Sequence, residues 1–351
     1  MSATSFWKSF CKITLTGSDS FPGLFTRAGD PVFRLGYGTL TLAACQKNVS
    51  AKTACYLFRQ AAGLGINWFD TAEIYGNYEQ LARFLKEIQP ESVFISTKAY
   101  AYDAIGLRRS LDLARRRLDT DVIDLFMLHE QESEKTLAGH SAAFLALLEA
   151  KEKGVVRYVG VSTHATSVAE TLAAVNEGSH AADPDFDVEL YRETDVLFAL
   201  LSRTGIGLLD GTAEMMRDAC CRAATAGITV LGMKLFGGGH LLGRREDAVA
   251  DAIAQDYVSA WSVGMGAPAE IETNAAWFRG AAPRSEALAA SAAIPRRLRI
   301  SDDCTRCGRC VARCKSGAMS LGPVKAVSDP AKCTLCSYCG YVCRDFAIKV
   351  Y

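Results

Sequence analysis

Two cysteine runs near the C-terminus carry the clearest chemical signature in the chain. CTRCGRCVARC places Cys304, Cys307, Cys310 and Cys314 at the spacing C-x2-C-x2-C-x3-C. CTLCSYCGYVC repeats it with Cys333, Cys336, Cys339 and Cys343, offset by 29 residues. Soft thiolates packed this densely suit zinc or an iron–sulfur centre. Paired C-x2-C units do bind Zn2+ tetrahedrally, yet zinc sites rarely need four cysteines per run, twice over. Disulfide scaffolds belong to short chains with small cores, and this chain has 351 residues. Iron–sulfur chemistry moves single electrons, so the question is what the rest of the chain would do with them. Cys11, Cys45, Cys55, Cys220 and Cys221 have no ligand spacing and read as buried or incidental thiols.

A second reactive set lies in the N-terminal part. Asp70 and Tyr75 stand in FDTAEIYG, Lys98 in STK and His129 in FMLHE. Singly each has a structural reading: Asp70 beside Thr71 as a helix cap, Tyr75 as an amphipathic loop residue, Lys98 as a solvated strand end, His129 as a hydrogen-bonded structural imidazole. Together they fall at the ends of three consecutive strands. Those strands belong to a longer rhythm. Between about 32 and 279, β-rich runs alternate with amphipathic helical stretches such as LRRSLDLARRRL from Leu107 and HSAAFLALLEAKEK from His140. Strands are expected to start near Val32, Ile66, Val93, Val122, Val155, Asp195, Ile228 and Val258. Eight β/α units over about 250 residues predict an α/β fold, the (β/α)8 TIM barrel, whose chemistry sits at the C-terminal strand ends. A doubly wound open sheet is the alternative. The stretch from Glu177 to Thr194 breaks the rhythm and is expected to be an excursion before strand six.

FDTAEIYG, STK, DLFMLH and GVS, in this order, resemble the aldo-keto reductase family over roughly 32 to 279. The resemblance implies that Asp70, Tyr75, Lys98 and His129 form a catalytic tetrad that interconverts a carbonyl and an alcohol with NADP(H) or NAD(H). Hydride arriving at a carbonyl carbon leaves an alkoxide that needs a proton, and Tyr75 is the expected donor. Lys98 is expected to lower the Tyr75 pKa, Asp70 to hold Lys98, and His129 to orient the carbonyl oxygen or, if protonated, help donate. For the cofactor the resemblance points to Ser162 and Thr163 in GVSTH, to Met233, Lys234, Gly237, Gly238 and Gly239 in MKLFGGGH, and to Asn274. Loops after strands seven and eight commonly bind phosphate in barrels, and glycines allow close backbone approach. Departures from the family pattern are Thr163 for the usual Asn, Phe198 for a Gln, and Met233 for a stacking aromatic. No Lys or Arg lies near Ala267 for a 2′-phosphate. They leave NADP against NAD open, and a reaction without nicotinamide too.

The cysteine segment resembles the bacterial ferredoxin with two [4Fe–4S] clusters, over about 302 to 351. That resemblance implies an α+β ferredoxin-like iron–sulfur domain in which the fourth cysteine of each run ligates the other cluster. Cys304, Cys307, Cys310 and Cys343 would hold one; Cys333, Cys336, Cys339 and Cys314 the second. The usual Pro after the fourth cysteine is Lys315 or Arg344 here, and Arg306, Arg309, Arg313 and Lys332 add positive charge. Cations near a cluster favour its reduced form, so potentials above those of a neutral-sheath ferredoxin are expected.

The expected division is a barrel over 1–279, a connector over 280–301 with room for a short helix, and the iron–sulfur domain over 302–351. Lys and Arg number 39 and Asp and Glu 39, so net charge gives no reason to expect nucleic acid. No apolar run approaches the ~20 residues that span a bilayer. Lys8 and Lys12 interrupt the apolar start, which argues against a secretory signal and for the cytoplasm. The expected partners are a small-molecule carbonyl or alcohol and an external redox protein. The rival readings are a redox sensor whose barrel binds nucleotide without turnover, and cluster-driven reduction without nicotinamide.

Overall fold

The runs rich in Val, Ile, Leu and Phe form eight parallel strands. In the computed structural model, which describes residues 23–351 apart from residue 182, these strands close into a barrel in sequence order. They are β1 (Leu35–Gly38), β2 (Trp68–Asp70), β3 (Phe94–Ala99), β4 (Ile123–Gln131), β5 (Val156–Thr163), β6 (Val196–Leu200), β7 (Thr229–Met233) and β8 (Val258–Val263). The closing pair is β1 with β8, at Leu35↔Trp261. The barrel therefore replaces the open-sheet alternative. Lys8, Cys11 and Lys12 lie outside the described residues.

Alternation along each strand divides the core in two. Phe69 faces outward, stacked on Tyr37 (6.1 Å) and set edge-on to Phe58 (5.5 Å) beneath the helices. Its neighbour Trp68 faces inward, 6.0 Å from Phe198, in a barrel interior shared with Phe94, Leu125, Met127, Leu231 and Ala260. Room for Trp68 comes from Gly36, where a Cβ would lie 2.1 Å from the indole. The surrounding helices start at side-chain caps such as Ser50, Asp103, Ser133 and Thr212. The expected excursion before β6 contains a helix, Val188–Arg192, anchored by Tyr191 stacked on Phe144 (4.8 Å) and Phe186 (5.2 Å).

After the last barrel helix, Pro268–Phe278, comes a helix at Ser285–Ala292 and then a small separate core. There β9 (Leu298–Ile300) pairs antiparallel with β12 (Ile348–Val350), and β10 (Met319–Leu321) with β11 (Ala326–Ser328). β9 lies inside the stretch expected to be only a connector. Short helices at Arg309–Arg313 and Tyr338–Tyr341 complete the unit, whose buried residues include Ile300, Cys310, Met319, Cys339 and Ile348. Among the described residues no helix is long and apolar enough to cross a membrane. Of the cysteines outside the two runs, Cys55 and Cys220 are buried while Cys45 and Cys221 are exposed.

Candidate active site

Adjacent strands bring the tetrad together at the C-terminal mouth of the barrel. β2 and β3 pair with Asp70 opposite Ser96, two residues before Lys98. Both side chains point into the barrel mouth, and the Lys98 ammonium donates to Asp70 Oδ1 at 2.8 Å and to the Thr71 carbonyl at 2.8 Å. Asp70 is fixed further by Ser96 Oγ (2.7 Å), itself held by the Trp68 indole N–H (2.8 Å), and by Ser262 Oγ (3.3 Å). The pair is buried: Lys98 is 1% exposed and Asp70 4%. Tyr75 ends a short 3-10 turn, Glu73–Tyr75, and its ring centroid lies 5.4 Å from the Lys98 ammonium. Phe198 closes the other side, 5.0 Å from that ammonium.

His129 approaches from β4. Its ring stands edge-on to Tyr75 (6.0 Å) and stacks on Tyr100 (4.5 Å). The register of β4 shifts between Leu128 and Gln131, with Glu130 at φ 44°. This irregularity turns His129 toward the mouth, as bulges beside active sites do. The Glu130 N–H donates to Ser162 Oγ (2.9 Å), and the Glu130 carboxylate accepts from the Tyr100 hydroxyl.

Electrostatics bear on two expectations. Burial, with Lys98 adding to it, pushes the His129 imidazole down to about 3, which favours the neutral ring over the protonated donor. Burial first, and Asp70 second, push the Tyr75 phenol well above its ordinary value. Burial and the Asp70 and Glu130 carboxylates outweigh any lowering by Lys98. Tyr75 is therefore a neutral phenol at rest, the form that can give a proton away. Nearby, burial pushes the Glu130 carboxyl up, but His164, His129 and Lys234 outweigh it and hold it at about 2. His164 Nε2 lies 3.6 Å from Glu130 Oε1.

The residues assigned to a dinucleotide are placed unevenly. A cavity of about 150 Å3 is lined by Asp70, Tyr75, Phe198, Met233, Lys234, Gly238 and Gly239, with Lys349, Val350 and Tyr351 from the C-terminus. Ser162 and Thr163 are fully buried behind it; Thr163 Oγ1 donates to the Gln131 carbonyl (2.7 Å) and accepts from the Ala165 N–H (2.8 Å). Asn274 is buried in the helix Pro268–Phe278, outside the lining. Gly237, Gly238 and Gly239 form a turn with positive φ throughout, as a phosphate cradle requires. That cradle is filled by the chain itself: a Cβ at Gly239 would lie 1.7 Å from the Val350 carbonyl oxygen, and one at Gly238 2.8 Å from the Phe346 ring. Beyond it, Glu270 accepts from the Gly266 N–H (2.7 Å) and pairs with Arg296 (2.8 Å), and the Lys47 ammonium packs against Gly266, so the fold brings two cations beside Ala267 where the local sequence offers none.

Among the described residues no group of three or more His, Cys, Asp or Glu converges closely enough to hold a single metal ion. The cysteines are nonetheless gathered. Cys304, Cys307, Cys310 and Cys343 line one hollow, and the Ala326 N–H points at Cys304 Sγ (3.5 Å). Burial, with Cys333 and Cys336 close by, pushes the Cys339 thiol up to about 11.

Glu130, His164, Tyr100, Phe346 and Lys349 are site residues that sequence reading passed over. Glu130 is the last residue but one of β4 and His164 directly follows β5, positions at the C-terminal strand ends that mark function in barrels. Phe346 and Lys349 carry no local signal, because docking of the C-terminal unit alone brings them in.

Comparison with known proteins fits this geometry. L-galactose dehydrogenase of Arabidopsis thaliana is 30% identical over 145 residues, 38% of this chain and 46% of the plant protein. The fission-yeast (Schizosaccharomyces pombe) aldo-keto reductase yakc [NADP(+)] is 27% identical over 163 residues, 42% of this chain and 47% of its own length. A NAD/NADP-dependent indole-3-acetaldehyde reductase of the same yeast is 28% identical over 196 residues, 54% of this chain and 68% of the yeast protein. The chain spans about half the length of the first two. The aldo-keto reductase of Bacillus halodurans in its holo form superposes with TM-score 0.56 at 18% identity, covering 78% of this chain and 98% of that one, a likeness of fold. The profile of the Aldo/keto reductase family matches residues 34–251, ending before the cysteine runs. With more than half of its length matched and the barrel closed as described, the chain belongs to the aldo/keto reductase family.

Proposed function

We propose that this protein is an iron–sulfur oxidoreductase of the aldo-keto reductase type, interconverting a carbonyl and an alcohol with Tyr75 as proton donor. The observation that carries the reading is the buried Lys98–Asp70 pair beside a neutral Tyr75, with neutral His129 next to it. His129 orients the carbonyl oxygen toward the Tyr75 hydroxyl. As the carbonyl carbon is reduced its oxygen becomes strongly basic and takes the Tyr75 proton. The phenolate left behind is stabilised by Lys98, which Asp70 and the Thr71 carbonyl hold in place. In the reverse direction the same phenolate removes the alcohol proton. Tyr75→Phe is expected to lower carbonyl turnover by about 10²–10⁴-fold while substrate still binds; turnover within threefold of wild type would refute the donor role.

The C-terminal unit supports the rest of the reading. Its cysteine spacing is that of a two-cluster ferredoxin, and the Cys343 side chain reaches the same hollow as Cys304, Cys307 and Cys310, the crossed arrangement that pattern requires. Two [4Fe–4S] clusters, when bound, supply single electrons, which an external redox protein would feed. Thiolates spread around a hollow suit a polynuclear centre better than one tetrahedral Zn2+. Anaerobically purified protein is expected to contain about eight iron and eight sulfide per chain. Cys343→Ala is expected to remove about half of both while Cys304, Cys307 and Cys310 remain. Zinc in place of iron would end the cluster assignment.

The NADP and NAD/NADP dependence in the names of the yeast relatives supports a nicotinamide, which when bound supplies hydride. The Val350 carbonyl in the Gly239 cradle favours a second reading, reduction without nicotinamide. Anaerobic mixing with NADPH or NADH separates them, since oxidation of the nucleotide coupled to carbonyl reduction occurs only in the first. In either reading the division into barrel, connector and iron–sulfur domain stands as proposed, with a cytoplasmic location.

A further inference from the structure

Lys234 and Lys349 are two lysines at the cavity that the proton chemistry of the tetrad does not use. Lys234 follows β7 with φ +62°, a left-handed backbone that a long side chain keeps only when its surroundings impose it. Its half-buried ammonium makes no hydrogen bond or salt bridge with a described residue, and lies 5.5 Å from the centroid of Phe346. Lys349 comes from β12, sits over the same ring at 3.8 Å and donates to the Phe346 carbonyl, also without a carboxylate partner. Both line the cavity that Tyr75 lines. Lys98 is matched by Asp70 and Arg296 by Glu270; Glu130 faces both Lys234 and Lys349, and Asp303 also faces Lys349, but neither carboxylate comes within salt-bridge distance of an ammonium at the mouth, which Lys47 lines too. Two ring nitrogens beside it, His129 Nδ1 and His164 Nε2, are buried without a hydrogen-bond partner. Desolvated cations facing a cavity favour an anionic ligand. The dinucleotide pyrophosphate does not supply that anion in this arrangement, because the Val350 carbonyl occupies its cradle.

We infer that the substrate is a carbonyl compound or alcohol carrying an anionic group, carboxylate or phosphate, near the reacting carbon, and that Lys234 and Lys349 determine this specificity. The inference rests on the carbonyl–alcohol reading and adds the substrate class to it. The carbonyl end would lie at Tyr75 and His129, with the anion toward β7 and β12.

Calorimetry on the full-length holoprotein tests it with three unreactive probes: oxamate, carbamoylphosphonate and neutral oxamide. At least one anion is expected to bind ten times more tightly than oxamide or better, and the stronger of the two identifies the group. Lys234→Met and Lys349→Met are each expected to weaken that anion about tenfold or more, the scale of a charge-assisted hydrogen bond, and to leave oxamide unchanged. Lys234→Arg should restore part of the loss. Equal binding of all three probes, or lysine variants that weaken NADPH and spare the anions, would overturn the inference. Turnover separates it from the reading beneath. Wild type that reduces neutral and anionic carbonyls equally well sinks the substrate class alone, and wild type no more active than Tyr75→Phe on any carbonyl sinks the tetrad assignment instead.

Discussion

Lys98→Met is expected to lower the stability of the barrel by about 3–5 kcal/mol, the usual result of breaking a buried ion pair by removing one partner. Lys98 and Asp70 meet at 2.8 Å with almost no solvent exposure, and the Thr71 carbonyl depends on the same ammonium. After the substitution Asp70 keeps only the hydroxyls of Ser96 and Ser262. Two hydroxyls do not replace an ammonium in a water-poor interior, so the carboxylate becomes an uncompensated buried charge. The double variant Lys98→Met with Asp70→Asn removes both charges and should recover a large part of the loss, as neutral replacements of buried pairs do. Urea unfolding of wild type, the single variant and the double variant measures this directly. A single-variant loss below about 1 kcal/mol would show that the pair is solvated and that the tetrad is not a closed site. Carbonyl turnover should fall in both variants and not return in the double, because the phenolate of Tyr75 then has no cation beside it. Recovered stability without recovered turnover separates the role of Lys98 in catalysis from its role in folding.

The barrel was legible because parallel strands buried on both faces read as continuous apolar runs. VIDLFMLH became β4 and ITVLGMK became β7 within a residue or two of where the pattern placed them. The gathering of Asp70, Tyr75, Lys98 and His129 was legible for a related reason: polar residues that terminate such runs must lie at the barrel mouth. What stayed hidden depends on contacts between distant parts of the chain. His240 Nε2 meets the Ile348 carbonyl at 2.9 Å across 108 residues, and nothing local in MKLFGGGH or FAIKVY announces that pairing. The glycines were therefore read as a cradle for phosphate, which their positive φ values allow, while the docked C-terminal strand uses the same freedom. The direction of the Tyr75 shift was equally out of reach. It depends on whether burial or the ammonium dominates, and residue types alone do not give the degree of burial.

Phe346→Ala is expected to release the C-terminal strand from the barrel mouth and to open the groove to nucleotide. Phe346 is 6% exposed and fills a slot built by glycine: Cβ atoms at Gly207 and Gly238 would each lie 2.8 Å from its ring. The ring also stands edge-on to His164 (6.2 Å) and beneath Lys349 and Lys234. Large-to-small changes of this kind cost about 3–5 kcal/mol in a core. Here the loss falls on the docking of β12 rather than on the barrel, whose strands do not touch this side chain. The other ties include His240 to the Ile348 carbonyl, Ser337 to the His240 carbonyl (3.4 Å) and Arg299 to the Gln46 carbonyl (2.7 Å), polar contacts worth about 0.5–1.5 kcal/mol each, and the Arg296–Glu270 ion pair (2.8 Å) just before β9, away from the Gly237–Gly239 turn. Hydrogen exchange should therefore quicken at Leu298–Ile300, Ile348–Val350 and the Gly237–Gly239 turn, with β1 to β8 as protected as in wild type. With the Val350 carbonyl gone from the cradle, affinity for NADPH or NADH should rise at least tenfold. Unchanged protection together with unchanged nucleotide affinity would mean that the strand is held independently of Phe346. Faster exchange without a gain in affinity would mean that the groove, once empty, is no longer a nucleotide site, and would leave reduction without nicotinamide as the working mechanism.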